Sequence, residues 1–274
     1  MSIITPLKVA VFGGSSYGKS CLKYILGNSD AEFVGFYEKD EETASSLLSL
    51  FDIKRFTAFE ELLDIVDAVI IALPVEERYK TAAAALRKGK HILVESPVSY
   101  KPSEMEDLIS VANEAQVAHT VSIGGILSRA DLEKEPQFID SKRYIDSSRS
   151  GSRNVFEILV EDIHLFIKMM NSGIKKVRKN IIGKNIAVRF EFENETVAHY
   201  LLIDTSSSSQ NLPNLQEIVI YNTSEIISIK EKEDVAISVK KDIDTFFCYI
   251  YDNSEQYPFF EKELISIDAA SKII

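Results

Sequence analysis

"VAVFGGSSYGKS", Val9 to Ser20, fits two phosphate-binding patterns at once. Read as G-x-x-x-x-G-K-[ST], it is a P-loop running from Gly13 to Gly18-Lys19-Ser20. Read as G-x-G-x-x-G, it is a dinucleotide-binding turn with Gly13 and Gly18 as first and last glycines and Ser15 in place of the middle one. The flanking sequence separates the two. A P-loop needs an acidic magnesium ligand where a neighbouring strand ends. The nearest candidate, Ala68–Leu73, ends in Pro74, and Asp67 stands at its beginning, the wrong end. A dinucleotide turn needs instead an acid about 20 residues on, at the tip of the second strand, to hold a ribose hydroxyl. Glu38 directly follows "FVGFY", twenty residues after Gly18. A helix opening near Ser16–Gly18 would aim its N-terminal amides and positive dipole end at a pyrophosphate. Ser15 could donate its hydroxyl to a phosphate oxygen. Gly13, Gly14, Ser15, Ser16, Tyr17, Gly18 and Glu38 therefore read as a cofactor cradle, the alternative being a βα turn that binds nothing.

Outward from this turn, the first 120 residues or so alternate apolar runs with helical periods. Strands are expected at Lys8–Phe12, Glu32–Tyr37, Ala68–Leu73, His91–Glu95 and Val117–Ser122. Helices are expected between them, at Gly18–Leu26, Glu41–Leu50, "FEELL", "ERYKTAAAALRKG" and Ser103–Glu114, the last with Ser103 as N-cap. Repeated β-α-β with short connections means a doubly wound parallel sheet. The second half changes character. Residues 126–153 read as polar and irregular, Glu157–Met170 as one helix. "IAVRFEF" and "TVAHYLL" then pair across "ENE", and "EIVIY" and "EIISIK" across "NTS". Two helices close the chain, "KDIDTFFCYIYDN" and "FEKELISIDAASKII". The expected division is a dinucleotide-binding domain over 1–123 and an α+β domain over 124–274.

Composition narrows the classes of partner. Of 274 residues 45% are hydrophobic, enough for a substantial core, and the net charge of -11 carries no basic stripe to track nucleic acid. The longest apolar runs are strand-sized, too short to cross a bilayer, and "MSIITPLK" has no signal-peptide pattern. Cys21 and Cys248 belong to no metal or redox motif, which fits a reducing cytoplasm with both thiols packed. The histidines, His91, His119, His164 and His199, lack ligand spacing, so no metal site is expected.

"DAVIIALPVEERYKTAAAALRKGKHILVESP", Asp67 to Pro97, resembles the Gfo/Idh/MocA oxidoreductases. Leu73-Pro74 matches their T-P turn, Gly89-Lys90-His91 their G-K-H, and Glu95-Ser96-Pro97 their E-K-P. With "VAVFGG" and Glu38 the likeness covers about residues 7–123. It implies a Rossmann domain followed by a domain with an open, mainly antiparallel sheet whose outer face makes a dimer or tetramer. It also implies NAD or NADP as cofactor, with Leu73, Pro74, Glu95, Ser96 and Pro97 near the nicotinamide, and hydride transfer to or from a small sugar-like substrate. The family lysine is Ser96 here. A neutral hydroxyl can neither steer an alkoxide nor share its proton as an ammonium would. The family's biliverdin reductases carry a tyrosine there and still transfer hydride.

Ser147 to Gly173 resembles a family segment that runs from R-x-G, here Arg149-Ser150-Gly151, to a helix carrying H-D-I-D. Glu161-Asp162-Ile163-His164 falls on H-D-I-D. In another register, D-x-G-x-H, His164 is the catalytic histidine and Val160 replaces its aspartate. Glu161 and His164, three residues apart, share a helix face, and Glu161 would raise the imidazole's pKa. The alternative is a solvated helix end where the two satisfy each other while Ile158, Leu165 and Met169 pack the core. The resulting expectation is an NAD-dependent oxidoreductase with His164, assisted by Glu161 or Asp162, moving the proton. Glu38 favours NAD over NADP because a carboxylate repels a 2′-phosphate. The rival is a catalytically inactive dinucleotide sensor on the same scaffold, suggested by Ser96 and by the short 124–153 stretch.

Overall fold

The computed structural model describes residues 6–122, 136–148, 154–206, 215–232, 235–251 and 258–274. The chain forms two compact units: residues 1–123 with 235–264, and residues 124–234 with 265–274.

The first unit is built on β1 (Leu7–Phe12), β2 (Ala31–Tyr37), β3 (Arg55–Phe56), β4 (Ala68–Ile71), β5 (His91–Val94) and β6 (His119–Val121). Between them run α1 (Ser16–Leu26), α2 (Glu41–Leu50), α3 (Phe59–Leu63), α4 (Val75–Arg87) and α5 (Pro102–Ala115). The strands lie in the order β3-β2-β1-β4-β5-β6, all parallel, so the chain reverses direction of travel at β1/β4. In such sheets ligands bind outside the carboxyl ends of the strands at that switch point. The expected parallel sheet is therefore present, with the two-residue β3 added. α5 begins at Pro102 with Lys101 as N-cap and no side-chain cap, so the expected Ser103 cap is corrected. Proline at the first helical position lacks only an N–H that would have no helical partner anyway.

The C-terminal helix α7 (Val235–Tyr251) belongs to this unit. Its Val239, Ile243, Phe246 and Phe247 join Val9, Val11, Ile70 and Leu93 of the sheet and Cys21, Leu22 and Ile25 of α1 in one buried cluster. It packs beside α1 and over β5 and β6. Tyr17 Oη donates to Asp242 at 3.0 Å and Tyr24 Oη to Asp244 at 2.5 Å. Burial, then the Asp242 charge, pushes the Tyr17 hydroxyl pKa well above its ordinary value. The sequence division at 123/124 thus needs correction at its far end: residues 235–264 return to the first unit, because an otherwise bare apolar face of its sheet has to be covered.

The second unit has β7 (Phe138–Ile145), α6 (Val155–Met170), β8 (Ile174–Ile182), β9 (Asn185–Phe192), β10 (Val197–Asp204), β11 (Leu215–Tyr221) and β12 (Ile226–Lys232). The order is β12-β11-β7-β10-β9-β8, antiparallel except for the β7/β10 pair. Both expected hairpins are present. β7 and β8 were not expected; β7 crosses the middle of the sheet in a stretch read as irregular. Helix α8 (Phe259–Ile273) has its first residues in the first unit and the rest in the second. Arg149, Ser150 and Gly151 lie outside the described residues.

Candidate active site

The turn after β1 is shaped by what its glycines leave out. Gly13 has φ +100°, and a Cβ there would lie 2.2 Å from the Ala72 carbonyl oxygen. A Cβ on Gly18 would lie 2.3 Å from the Gly13 carbonyl oxygen, and one on Gly14 would lie 2.4 Å from Thr43 Cγ2. The first lets β1 run against β4, the second lets α1 sit on the turn, and the third admits α2. None has room for a side chain.

Glu38, at the end of β2, is buried and turned onto this loop. Its Oε2 accepts the Gly14 N–H at 2.8 Å and its Oε1 the Asp40 N–H at 2.9 Å. Each carboxylate oxygen can accept a further hydrogen bond, so the group stands at the cradle with acceptor capacity to spare. The neighbouring cations already have partners: Lys39 pairs with Glu77 at 2.5 Å, and Arg55 pairs with Glu41 at 2.7 Å and donates to the Glu38 backbone carbonyl at 2.8 Å. Ser15 differs from expectation. It is the N-cap of α1, its Oγ accepting the Gly18 N–H at 3.1 Å and donating to Glu95 Oε2 at 3.3 Å. Its hydroxyl proton is thereby spent within the protein, and the serine serves the cradle by fixing the helix start. Ser16 and Tyr17 open α1, whose first-turn amides have no intrahelical acceptors. Ser20 Oγ donates to the Ser16 carbonyl of its own helix at 3.0 Å, which is not the magnesium-facing role of a P-loop serine.

Arg78, one charge among several in an alanine-rich helix and without a local signal in the sequence, ties the remaining candidate cofactor positions together. Its Nε donates to the Leu73 carbonyl at 2.6 Å, and Nη1 to the carbonyls of Glu95 at 3.0 Å and Pro97 at 2.9 Å. Nη2 meets Glu95 Oε2 at 2.7 Å. Pro74 caps α4, and Ser96-Pro97 is a cis peptide. One buried guanidinium thus holds the Leu73-Pro74 turn, the Glu95–Pro97 turn and, through Glu95 and Ser15, the glycine turn.

In the second unit α6 is buried along most of its length. Asp162 faces its own sheet: Oδ2 accepts from Tyr200 Oη at 2.7 Å and lies 3.4 Å from Arg143 Nε, while Oδ1 accepts from Gln216 Nε2 at 3.1 Å. Two residues along a helix is a rotation of about 200°, which puts His164 on the side turned away from that sheet, with Glu161 beside it. Glu161 and His164 share one side of α6, while Asp162 belongs to a network with Tyr200, Gln216 and Arg143. Both members of the pair are buried in the middle of α6, along with Ile158, Leu165 and Met169, so the solvated helix end is corrected.

The other histidines are structural. His91 Nδ1 accepts the Ala118 N–H at 2.9 Å, and burial lowers its pKa. His119 packs against Phe260 in a tilted arrangement, ring centroids 4.8 Å apart. His199 is half-buried on the outer face of the second sheet, 5.0 Å from the Phe138 ring. Cys21 is packed but Cys248 is exposed, which corrects half of that expectation. Among the described residues no group of three metal-binding side chains occurs, and no helix is long and apolar enough to cross a membrane.

A parallel sheet in this order, a glycine-rich turn opening a helix and a carboxylate at the tip of β2 define a dinucleotide-binding domain, here carried with a second, mainly antiparallel unit. Residues 7–123 match the family model GFO_IDH_MocA, described as an oxidoreductase family with an NAD-binding Rossmann fold, and it is this domain that carries the chain's likeness to those oxidoreductases. An uncharacterized oxidoreductase of Schizosaccharomyces pombe is 27% identical over 172 residues, 60% of this chain and 44% of that protein. Glucose-6-phosphate 3-dehydrogenase of Bacillus subtilis is 27% identical over 110 residues, 40% of this chain and 31% of that protein. The chain thus spans less than half the length of these curated relatives. The crystal structure of a myo-inositol dehydrogenase from Corynebacterium glutamicum superposes with a TM-score of 0.81 at 14% identity, covering 97% of this chain and 95% of that one, a likeness of fold.

Proposed function

We propose that this chain is an NAD-dependent oxidoreductase that moves a hydride between the nicotinamide and a carbon of a small, polar, sugar-like substrate. The observation that carries the reading is the cradle: three positions without room for a Cβ, the N-terminus of α1, and Glu38 aimed onto the turn. The residues present suit the group the family implies. Amides of α1 would hold the pyrophosphate, Glu38 a ribose hydroxyl, and the turns tied by Arg78 the nicotinamide end. When bound, the nicotinamide supplies the hydride acceptor or donor. The chain's own part is to fix that ring and to move one proton, for which His164 is the candidate, with Glu161 on the same helix face. The likeness of the first domain to curated dehydrogenases supports the enzyme over the inactive sensor.

NAD is preferred over NADP in this reading, since a 2′-phosphate beside Glu38 would meet a carboxylate while Lys39 and Arg55 are already paired. Fluorescence titration of Glu38→Ala is expected to show NADH affinity lower by about tenfold or more and a narrowed NADH/NADPH ratio. An unchanged ratio would refute the assignment. Oxidation assays over polyols, inositols and sugar nucleotides test the activity. On any substrate found, His164→Ala should lower kcat by roughly a hundredfold with NADH affinity unchanged. Retention of wild-type kcat would remove His164 from the mechanism.

We also infer self-association through the outer face of the second sheet. There Phe138 stands between Tyr221 and Val197 in register, its ring 5.4 Å from that of Tyr221, with the exposed Ile226 opposite Tyr221. Sedimentation should give a dimer or tetramer that Phe138→Glu splits, whereas a monomeric wild type would contradict this. The free thiols suit a reducing cytoplasm.

A further inference from the structure

Ser96 stands where the family resemblance places a lysine, and its surroundings show what holds the turn in the absence of an ammonium. Arg78 takes the carbonyls of Glu95 and Pro97 from one side. From the other, Ser122 Oγ accepts the Ser96 N–H at 3.2 Å, and Glu263 Oε1 accepts both Ser96 Oγ at 2.8 Å and the Val98 N–H at 3.2 Å. Glu263 lies 167 residues further along the chain, on α8.

Its place on that helix is unusual for a carboxylate. Phe260, Glu263, Ile267 and Ala270 follow one another at three- and four-residue steps, the spacing of a single helix face, and all four are 0% exposed. Packing alone would favour an aliphatic side chain at the centre of such a stripe, because a carboxyl group taken out of water is costly unless it gains hydrogen bonds. Here two donors of one turn converge on a single oxygen. Ser96 contributes its one hydroxyl proton to that contact, so the hydroxyl is committed to anchoring the turn.

We propose that Glu263 is a positioning residue for the nicotinamide end of the cofactor site, holding the Glu95–Val98 turn in shape through Ser96 Oγ and the Val98 N–H. The inference rests on the NAD reading above, and comparing NADH with ADP-ribose, which lacks the nicotinamide, separates the two. Wild type is expected to bind NADH more tightly than ADP-ribose. Glu263→Ala should weaken NADH by about tenfold or more while changing ADP-ribose by less than about twofold. Glu263→Gln, whose amide oxygen still accepts from both donors, should stay within about threefold of wild type for both ligands. Ser96→Ala should weaken NADH alone, by less than Glu263→Ala does. If Glu263→Ala does not fold, Ser96→Ala decides by the same ratio. A parallel loss of both ligands, no loss of either, or equal wild-type affinity for the two overturns the proposal. Wild type that binds neither ligand overturns the NAD reading instead.

Discussion

Replacing Arg78 with methionine should lower unfolding stability by about 3–5 kcal/mol, the cost of breaking a buried ion pair from one side. Methionine keeps much of the side-chain volume and removes all four hydrogen bonds. The carbonyls of Leu73, Glu95 and Pro97 lose their donor, and Glu95 Oε2 loses its guanidinium at 2.7 Å. Each unsatisfied buried acceptor costs about 1–3 kcal/mol, and the two turns they belong to frame the proposed cofactor site. NADH affinity should therefore fall with stability in the same variant. Arg78→Lys should rescue little, because an ammonium is a point charge that cannot serve two turns in a fixed fork. Urea denaturation reads the first effect and fluorescence titration the second. A loss below about 1 kcal/mol would mean that the turns hold without the guanidinium.

Gly13→Ala should have the other large effect. The position has φ +100°, and the new Cβ would lie 2.2 Å from the Ala72 carbonyl oxygen and 2.7 Å from the Leu73 nitrogen. Neither neighbour can yield cheaply. The Ala72 N–H donates to the Phe12 carbonyl at 2.7 Å, and the Gly13 N–H to the Tyr37 carbonyl at 2.8 Å, so relief requires parting β1 from β4 or β2. The expected cost exceeds about 4 kcal/mol, the range reserved for backbone strain joined to a buried clash. Gly89→Ala is the internal control. Its φ is +67° and nothing lies within 4 Å of the added Cβ, so it should cost only about 1 kcal/mol. Thermal or urea denaturation of the two variants side by side checks the pair, and similar losses would show that φ alone matters.

The two predictions differ in how visible their residues are along the chain. Gly13 belongs to a local pattern: strand, turn and helix are consecutive, and Glu38 follows at a set interval, so the cradle could be read in order. Arg78 could not be, because its four acceptors come from turns after two different strands and its own helix is full of other charges. The same holds for β7. Its inward positions are Ile139, Ser141, Arg143 and Ile145, all buried. Two are polar, which hides the apolar alternation of a half-buried strand. Arg143 is tolerated there because Asp162 of α6 lies against it. β8 hides for the opposite reason: it is an edge strand, exposed over most of its length, with no buried face to imprint a pattern.

By itself the sequence determined what depends on near neighbours: the βα alternation, the glycines where a Cβ cannot fit, the acid at the tip of β2, the two hairpins and the helix carrying Glu161 and His164. Only the tertiary structure decided what depends on distant partners. It returned α7 to the first unit, set Asp162 against Tyr200 and Gln216 rather than beside His164, spent the Ser15 hydroxyl on capping α1, and brought Glu263 to Ser96. The reason is physical. Periodicity and steric exclusion act over a few residues and leave a mark in the chain, whereas a buried polar group is satisfied by whichever donor or acceptor the packing brings near, however far away in sequence that partner lies.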